Sequence, residues 1–191
     1  MIDTLKNWDE ELFLWLNSHH VDWLDPIMLQ ISATITWVPL YAYLIYRIFK
    51  QDRANAWWVL GGVALTILAA DQFASGFLKP LIERPRPCHD PRWEGLMYNY
   101  NRCGGLFGFV SSHAANTFGV ATFLNLKLNR KVKNLGWLYL YAAVVSYSRI
   151  YLGVHYPGDI IAGALIGAAF AWLVWFLIVY IKRELIKRAL K

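Results

Sequence analysis

Residues 159–181 read DIIAGALIGAAFAWLVWFLIVYI, and this stretch decides the fold. It carries no charged residue after Asp159. A helix of this length is about 35 Å long, enough to cross a hydrocarbon core of about 30 Å. The sequence therefore predicts a membrane-spanning helix here.

Four further apolar runs precede this stretch. The first two contain a single charged residue each, Arg47 and Asp71, and the next two are shorter and have polar ends. We therefore predict an all-α fold, a polytopic transmembrane helix bundle with about five spans. The predicted spans are residues 27–49, 56–79, 112–127, 135–151 and 159–181.

The N-terminal segment, residues 1–26, is predicted to contain a surface helix over residues 3–18. Its apolar residues recur at the spacing of one helical face, whereas a basic, apolar signal peptide is not evident. Such an amphipathic helix lies on the membrane surface or packs on the bundle as an ordinary terminal helix. The apolar positions are Leu5, Trp8, Leu12, Trp15 and Leu16.

The composition is that of a basic membrane protein. Hydrophobic residues make up 57% and charged residues 17%, below the roughly 25% charged residues of soluble domains. The formal net charge of +6 does not indicate a nucleic-acid partner, because most basic residues follow the first, third and fifth spans. The positive-inside rule makes that side cytoplasmic. These residues are Arg47, Lys50, Arg53, Lys127, Arg130, Lys131, Lys133, Lys182, Arg183, Lys187, Arg188 and Lys191.

The remaining basic residues fall on the predicted external side, against the rule. They are Lys6, Lys79, Arg84, Arg86, Arg92, Arg102 and Arg149. We interpret several of them as ligands of phosphate.

Residues 1–191 are predicted to form a single membrane domain with an external loop over residues 80–111 and a basic cytoplasmic tail over residues 182–191. The loop is rich in Pro and Gly, which oppose regular helix. It contains both cysteines of the chain, Cys88 and Cys103. An oxidising compartment would let them pair in a disulfide, and the alternative is two free thiols. Their spacing is poor for a zinc site.

Three polar clusters are predicted to meet at the external face. They are Lys79-Pro-Leu-Ile-Glu-Arg84-Pro-Arg86-Pro87, Ser111-Ser112-His113, and Ser148-Arg149 with His155-Tyr-Pro-Gly-Asp159. Lys and Arg suit a phosphate, and Ser111 and Ser112 begin a helix whose N–H groups attract anions. Asp159 follows His155 by four residues, which lets the carboxylate orient the imidazole. His113 has no carboxylate near it in sequence and suits protonation of a leaving oxygen.

The clusters resemble the three-part signature of the type 2 phosphatidic acid phosphatase superfamily, which includes bacterial membrane lipid phosphatases and shares its site with vanadium haloperoxidases. The family motifs are Lys, six residues, Arg-Pro; Pro-Ser-Gly-His; and Ser-Arg, five residues, His, three residues, Asp. The matching residues are Lys79, Arg86 and Pro87; Val110, Ser111, Ser112 and His113; and Ser148, Arg149, His155 and Asp159. Val110 and Ser112 depart from the family Pro and Gly, so the backbone geometry at this point is left open.

The resemblance implies a role for each matched residue. His155 attacks phosphorus and becomes phosphohistidine, Asp159 orients it, and His113 protonates the leaving group and later activates water. The phosphoryl oxygens are held by Lys79, Arg86, Ser111, Ser112 and Arg149. The implied enzyme is a metal-independent phosphatase of phosphoric monoesters or diphosphates that needs no cofactor.

The predicted substrate is a lipid phosphate or diphosphate in the bilayer. Undecaprenyl diphosphate is preferred, with phosphatidylglycerophosphate, phosphatidic acid, the 1-phosphate of lipid A and phosphoryl transfer to another lipid as alternatives. A rival of another class is a non-catalytic transporter of a phosphorylated compound, which does not explain two histidines with a paired carboxylate. We expect a bacterial inner (cytoplasmic) membrane location with the site facing the periplasm, and the oligomeric state is left open.

Other polar residues are interpreted as structural. Asp71 is expected to pair inside the bundle, although an intramembrane carboxylate is also a functional candidate. Glu83 and Asp90 sit among cations without a histidine partner, so no metal site is expected. Lipid headgroup anchors are expected at Arg84, Arg92 and Arg102.

Overall fold

The computed structural model describes residues 2–100, 103–128 and 135–190. Helices dominate these ranges, and their β-structure is limited to one isolated antiparallel bridge between Pro85 and Phe107. The predicted all-α class is therefore confirmed. Five basic residues used in the charge argument lie outside the described residues, namely Arg102, Arg130, Lys131, Lys133 and Lys191.

Eight α-helices follow one another along the described chain. In order they are α1 (Ile2–Asn17), α2 (Asp25–Ser32), α3 (Val38–Asp52), α4 (Ala56–Asp71), α5 (Lys79–Ile82), α6 (Ser112–Leu128), α7 (Trp137–Tyr151) and α8 (Pro157–Ala189). A π-helical segment, Gln72–Leu78, joins α4 to α5 without interruption.

The prediction of one helix over residues 27–49 is wrong. The chain is extended at Ala33, between α2 and a 3₁₀ turn over Thr34–Trp37 that leads into α3. Pro39 lies at the start of α3 and cannot donate the backbone hydrogen bond that a continuous helix needs there. The apolar run is thus divided into a short helix and a longer one.

Two helical stretches of the described chain are long and apolar enough to cross a membrane. They are Thr34–Ile82, which contains α3 and α4, and Pro157–Ala189. The arrangement with five spans is not confirmed by this criterion. α8 also extends through most of the predicted basic tail, which is helical as far as Ala189.

α6 is the central helix and packs against α4, α7 and α8. Its contact with α8 is close because two glycines of α8 face it. A Cβ atom at Gly163 would lie 2.5 Å from the Ser111 carbonyl oxygen, and one at Gly167 would lie 2.0 Å from that of Ala115. The small residues of α8 therefore permit its close packing against α6 inside the bundle.

α1 combines the two alternatives left open by the sequence. Its inner face is packed on the protein: Phe13 is fully buried against Tyr156, and the Asn17 amide donates to the Tyr151 carbonyl oxygen at 2.9 Å. Its outer face exposes apolar side chains that suit a membrane surface. The exposed side chains are Leu5, Trp8, Leu12 and Trp15.

The Pro- and Gly-rich segment predicted over residues 80–111 begins later than expected, because helix continues to Ile82. Glu83 then adopts a left-handed conformation with φ of 51° and ends the helix. Cys88 and Cys103 are joined in a disulfide with Cα atoms 5.9 Å apart. Both sulfurs are consumed by this bond, so the cluster that they form with His89 is not a thiolate metal site.

Candidate active site

The first and second clusters meet at the start of α6. The Lys79 ammonium donates to the Ser112 hydroxyl at 3.0 Å and to the Ser75 hydroxyl at 3.2 Å. These two hydroxyl oxygens are 2.8 Å apart. Ser75 lies one turn before Lys79, in the π-helical segment, so the helix itself aims the lysine at α6.

The second and third clusters meet through the backbone. The Ser111 N–H donates to the carbonyl oxygen of Asp159 at 3.0 Å. Ser111 is fully buried, and its hydroxyl accepts a long hydrogen bond of 3.4 Å from the Ala114 N–H. The start of α6 is thereby attached to the start of α8.

His155 and Asp159 form a buried pair at the start of α8. The imidazole Nδ1 is 3.3 Å from Asp159 Oδ2, which also accepts the Tyr156 N–H at 3.0 Å. Burial lowers the pKa of His155 to about 4, whereas the hydrogen bond to Asp159 acts in the opposite direction. The imidazole is therefore neutral near physiological pH and able to act as a nucleophile.

Arg86 of the loop and Arg149 of α7 both lie near His155. The Arg86 guanidinium donates to the carbonyl oxygens of Cys103 at 3.0 Å and Phe107 at 3.3 Å. Arg149 donates to the Ser32 hydroxyl. Within the described part of the chain, Arg149 Nε is buried without a hydrogen-bond partner. An anion that docks here would supply the missing acceptor.

His113 lies on the first turn of α6 and lines the same cavity as Ser32. This cavity of about 440 Å³ lies between α3, α4, α6 and α7. The cavity is mainly apolar, with Asp71 and Asn116 beside His113 at its polar end. Its apolar lining includes Leu44, Ile48, Leu60, Val63, Val120 and Leu124.

Sequence reasoning missed part of this arrangement. Arg84 was expected to anchor lipid headgroups, but it pairs with Asp159 at 3.1 Å and with Asp9 at 2.7 Å. Ser32, which contacts both Arg149 and His113, carried no sequence signal because it sits in an apolar run. Arg92 pairs with Glu10 of α1 at 2.8 Å.

The assembled chemistry suits a phosphoryl group. Arg86 and Arg149 lie near a buried histidine that is paired with a carboxylate, Lys79 is held at the start of α6, and a second histidine faces an apolar cavity. Oriented cations stabilise the charge of a phosphoryl group during transfer. The Asp159 carboxylate is engaged with both Arg84 and His155, and the cations beside it make the residues resemble an anion site more than a metal site.

Comparison with known proteins agrees with this chemistry. The lipid A 4′-phosphatase of Bacteroides thetaiotaomicron is 40% identical over 180 residues, with 93% of this chain and 80% of that protein covered. The undecaprenyl-diphosphatase of Sulfolobus acidocaldarius is 28% identical over 169 residues, with 85% and 75% covered.

The fold has a solved counterpart. The crystal structure of a transmembrane PAP2-type phosphatidylglycerolphosphate phosphatase from Bacillus subtilis superposes with a TM-score of 0.65. It covers 94% of this chain and 89% of that one at 24% identity, a level that supports the fold alone.

Residues 56–183 match the PAP2 superfamily, and this range includes all three sequence clusters. The matched range, the long apolar helices and the similar proteins all indicate the same family. The chain belongs to the PAP2 superfamily and is an enzyme of the phosphatase class.

Proposed function

We propose that this protein removes phosphate from a membrane lipid through a covalent phosphohistidine on His155. The observation that carries the proposal is the fully buried pair of His155 and Asp159, 3.3 Å apart, beside Arg86 and Arg149. A carboxylate on Nδ1 leaves Nε2 unprotonated and free to attack phosphorus.

The reaction has two balanced steps. In the first, the Nε2 lone pair of His155 forms a bond to phosphorus while the bond from phosphorus to the lipid oxygen breaks, and His113 gives its proton to that oxygen. In the second, His113 takes a proton from water, whose oxygen attacks phosphorus and releases inorganic phosphate from His155. Asp159 stabilises the imidazolium character of His155 in between.

Lys79, Arg86, Ser111, Ser112 and Arg149 hold the phosphoryl oxygens in this proposal. Three of them are cations and supply the charge that a metal ion would otherwise provide, so we expect no metal requirement. Ser112 stands where the family motif has Gly, and its hydroxyl accepts a hydrogen bond of 3.0 Å from the Lys79 ammonium. A glycine could not make this contact, which orients the Lys79 side chain.

The apolar cavity supports a lipid as the substrate. It opens at His113, where the leaving group must lie, and runs between helices along apolar side chains such as Ile48 and Leu124. From His113 to Leu124 the rise along α6 is about 17 Å, the length of a substantial part of an acyl chain. A hydrocarbon chain would bury there while its phosphate contacts the polar end.

The polar end of the cavity favours a neutral leaving group that donates hydrogen bonds. Asp71 and Asn116 line it beside His113, and Asn116 Oδ1 is buried without a partner in the described part of the chain. An acylated sugar offers hydroxyl and amide donors, whereas the leaving group of a diphosphate is a second phosphate that Asp71 repels. We therefore propose a phosphate monoester of the lipid A type, and the similarity to a lipid A 4′-phosphatase supports the 4′-phosphate. The diphosphate remains the second candidate, supported by the more distant relative.

The experiment compares phosphate release by the purified protein from three substrates with excess chelator present. These are lipid A, undecaprenyl diphosphate and phosphatidylglycerophosphate. We expect fastest release from lipid A, with loss of its 4′-phosphate by mass spectrometry, and none with His155→Ala. Loss of activity on chelation, or full activity of His155→Ala, would overturn the mechanism. Preference for undecaprenyl diphosphate would overturn the substrate alone.

The topology is proposed as a single domain with five spans in a bacterial inner membrane, the site on the outer face. The basic residues that follow the first, third and fifth predicted spans support this orientation. A cysteine placed at Asp3 should react with an impermeant reagent added to intact spheroplasts. Labelling only after lysis would contradict the orientation.

A further inference from the structure

The two oxygens of the Asp159 carboxylate have different partners. Oδ2 faces His155, whereas Oδ1 accepts a hydrogen bond from Arg84 Nη1 at 3.1 Å. Arg84 Nη2 lies 2.7 Å from Asp9 Oδ2, in an ion pair that lacks hydrogen-bond alignment. An unbroken series of charged groups thus leads from α1 to the proposed nucleophile.

We propose that Asp9 and Arg84 are positioning residues for His155, so that α1 belongs to the catalytic machinery. The inference rests on the phosphohistidine mechanism proposed above. Asp9 lies outside residues 56–183, the part of the chain that matches the family. The family match therefore does not assign this contact.

Arg84 is held firmly enough to orient a carboxylate. Its guanidinium carbon lies 3.9 Å above the centre of the Tyr156 ring, and its carbonyl oxygen accepts the Gly108 N–H at 2.8 Å. Asp159 is fully buried, so its charge needs a cationic partner when His155 is neutral. A partner on Oδ1 also fixes the plane of the carboxylate, and with it the direction in which Oδ2 faces the imidazole.

Asp9 attaches α1 to the helix that carries Asp159. Its Oδ1 accepts the Gly158 N–H at 2.6 Å, at the N-terminus of α8, where a negative charge is favourable. Its Oδ2 faces Arg84, as described above. One side chain of α1 therefore fixes both the backbone that precedes Asp159 and the cation that pairs with it.

Glu10 provides a matched control. It is the next residue of α1 and pairs with Arg92 at 2.8 Å. The second carboxylate that pairs with Arg92 is Asp90, whereas the second one that pairs with Arg84 is Asp159. The ion pairs Asp9–Arg84 and Glu10–Arg92 both join α1 to the loop after α5. Of the two, the pair with Arg84 also contacts Asp159. A purely structural role predicts similar effects from loss of either carboxylate.

The test measures kcat and KM of the whole chain, residues 1–191, with lipid A as the substrate. We expect Asp9→Asn to lower kcat about 10-fold with KM changed less than about 2-fold, since the change affects orientation of the nucleophile and not substrate binding. Glu10→Gln should leave both within about 2-fold. Asp9→Glu should recover part of kcat, and Arg84→Lys, which keeps the charge but loses the fork, should lower it.

The pH profile separates electrostatics from structural damage. His155 faces Asp159 of α8, Arg149 of α7, His113 of α6 and Arg86 of the loop, with Arg84 and Asp9 behind Asp159. Asp9→Asn removes a negative charge and should move the acidic limb of kcat/KM to lower pH. Arg84→Gln removes a positive charge and should move it to higher pH. Misfolding alone would not move the limb in opposite directions.

The outcomes are distinguishable from failure of the mechanism itself. If Asp9→Asn equals Glu10→Gln in kcat and pH profile while His155→Ala is inactive, the positioning role is wrong and the mechanism stands. If His155→Ala is active, the mechanism fails. If the Asp9→Asn variant unfolds below the assay temperature, the positioning role is tested with Asp9→Glu and Arg84→Lys instead. A wild-type kcat in both of these variants would overturn the inference.

Discussion

The guanidinium of Arg86 donates a hydrogen bond of 3.0 Å to the backbone carbonyl oxygen of Cys103, the residue whose sulfur is bonded to Cys88. The disulfide therefore closes a short loop that contacts Arg86, a proposed phosphate ligand. Cys88 is also fixed to the bundle, because its N–H donates to the Gly153 carbonyl oxygen at 3.1 Å. Loop stability and phosphate affinity should consequently be coupled.

Replacement of both cysteines by serine should raise KM about 10-fold and leave kcat within about 3-fold, because Arg86 loses a fixed acceptor before the chemical step. The chain-entropy effect of a loop with a sequence separation of 15 is about 3 kcal/mol, so the melting temperature should fall as well. Steady-state kinetics and thermal unfolding in detergent check both effects. An unchanged KM with a lowered kcat would argue against this coupling.

His113→Ala should distinguish substrates by their leaving groups. Loss of a general acid costs about 100-fold to 10,000-fold when the leaving oxygen is an alkoxide, and much less for p-nitrophenyl phosphate. When p-nitrophenyl phosphate is the substrate, the His113→Ala variant can still form the phosphohistidine. It lacks the base that activates water for its hydrolysis, so the phosphoenzyme should accumulate. Acid-labile, alkali-stable label on His155 after a brief incubation would be its signature, and the double variant with His155→Ala serves as the blank. Equal losses on both substrates would contradict the assignment.

The acidic limb of kcat/KM should lie well below the usual histidine range. Burial lowers the pKa of His155 to about 4, and the neutral form is the nucleophile, so activity persists as the pH falls and is lost only near that value. From about pH 7 to about pH 5 we expect kcat/KM to change less than about 2-fold through this group. A limb near pH 6.5 would show that His155 titrates as an ordinary exposed histidine.

Gly167→Ala should damage both stability and activity. Its Cβ would lie 2.0 Å from the Ala115 carbonyl oxygen, so α6 and α8 must move apart. This movement would also increase the distance between His113 and His155. Overpacking of this kind costs about 1–3 kcal/mol. Gly61→Ala is the matched control, since a Cβ at that position meets nothing within 4 Å among the described residues. Equal melting temperatures and activities for the two variants would refute the close contact as the cause.

Asp71→Asn should change substrate preference. With the negative charge removed from the leaving-group side, kcat/KM for a lipid diphosphate should rise about 10-fold relative to that for the lipid A monoester. The ratio is measured with both substrates in one detergent. Asp3→Asn, a change on the exposed surface of α1, should leave the ratio unaltered. A ratio unaffected by Asp71→Asn would remove the carboxylate from the specificity argument.

Local patterns sufficed for several of the helices and for the pairing of His155 with Asp159. His155 and Asp159 are close in sequence and meet across the start of α8, with Tyr156 as the N-cap between them. The lengths of the apolar runs predicted the continuous helical stretch from Ala56 to Ile82, and also α6, α7 and the start of α8, to within a few residues. These results depend on residues close in sequence, where local patterns are informative.

Contacts between distant residues were not predictable in the same way. Arg84 pairs with Asp159 across 75 positions, and Ser32 contacts Arg149 across 117. Nothing in the local pattern distinguishes Arg84 from a basic residue at a membrane boundary, because its contacts depend on how the loop after α5 folds over α8. The break at Ala33 was missed for a related reason: apolar character continues through it, and only Pro39 marks the point.

α8 joins the proposed site to the far side of the protein without a hinge. Asp159 lies on its first turn and Arg188 on its last, 33 helical residues from end to end. Such a helix is about 50 Å long, roughly 20 Å more than the apolar core of a bilayer. A thinner bilayer must tilt the whole rod, and the carboxylate moves with it. Turnover in vesicles of graded acyl-chain length should therefore respond to membrane thickness even when the substrate is unchanged.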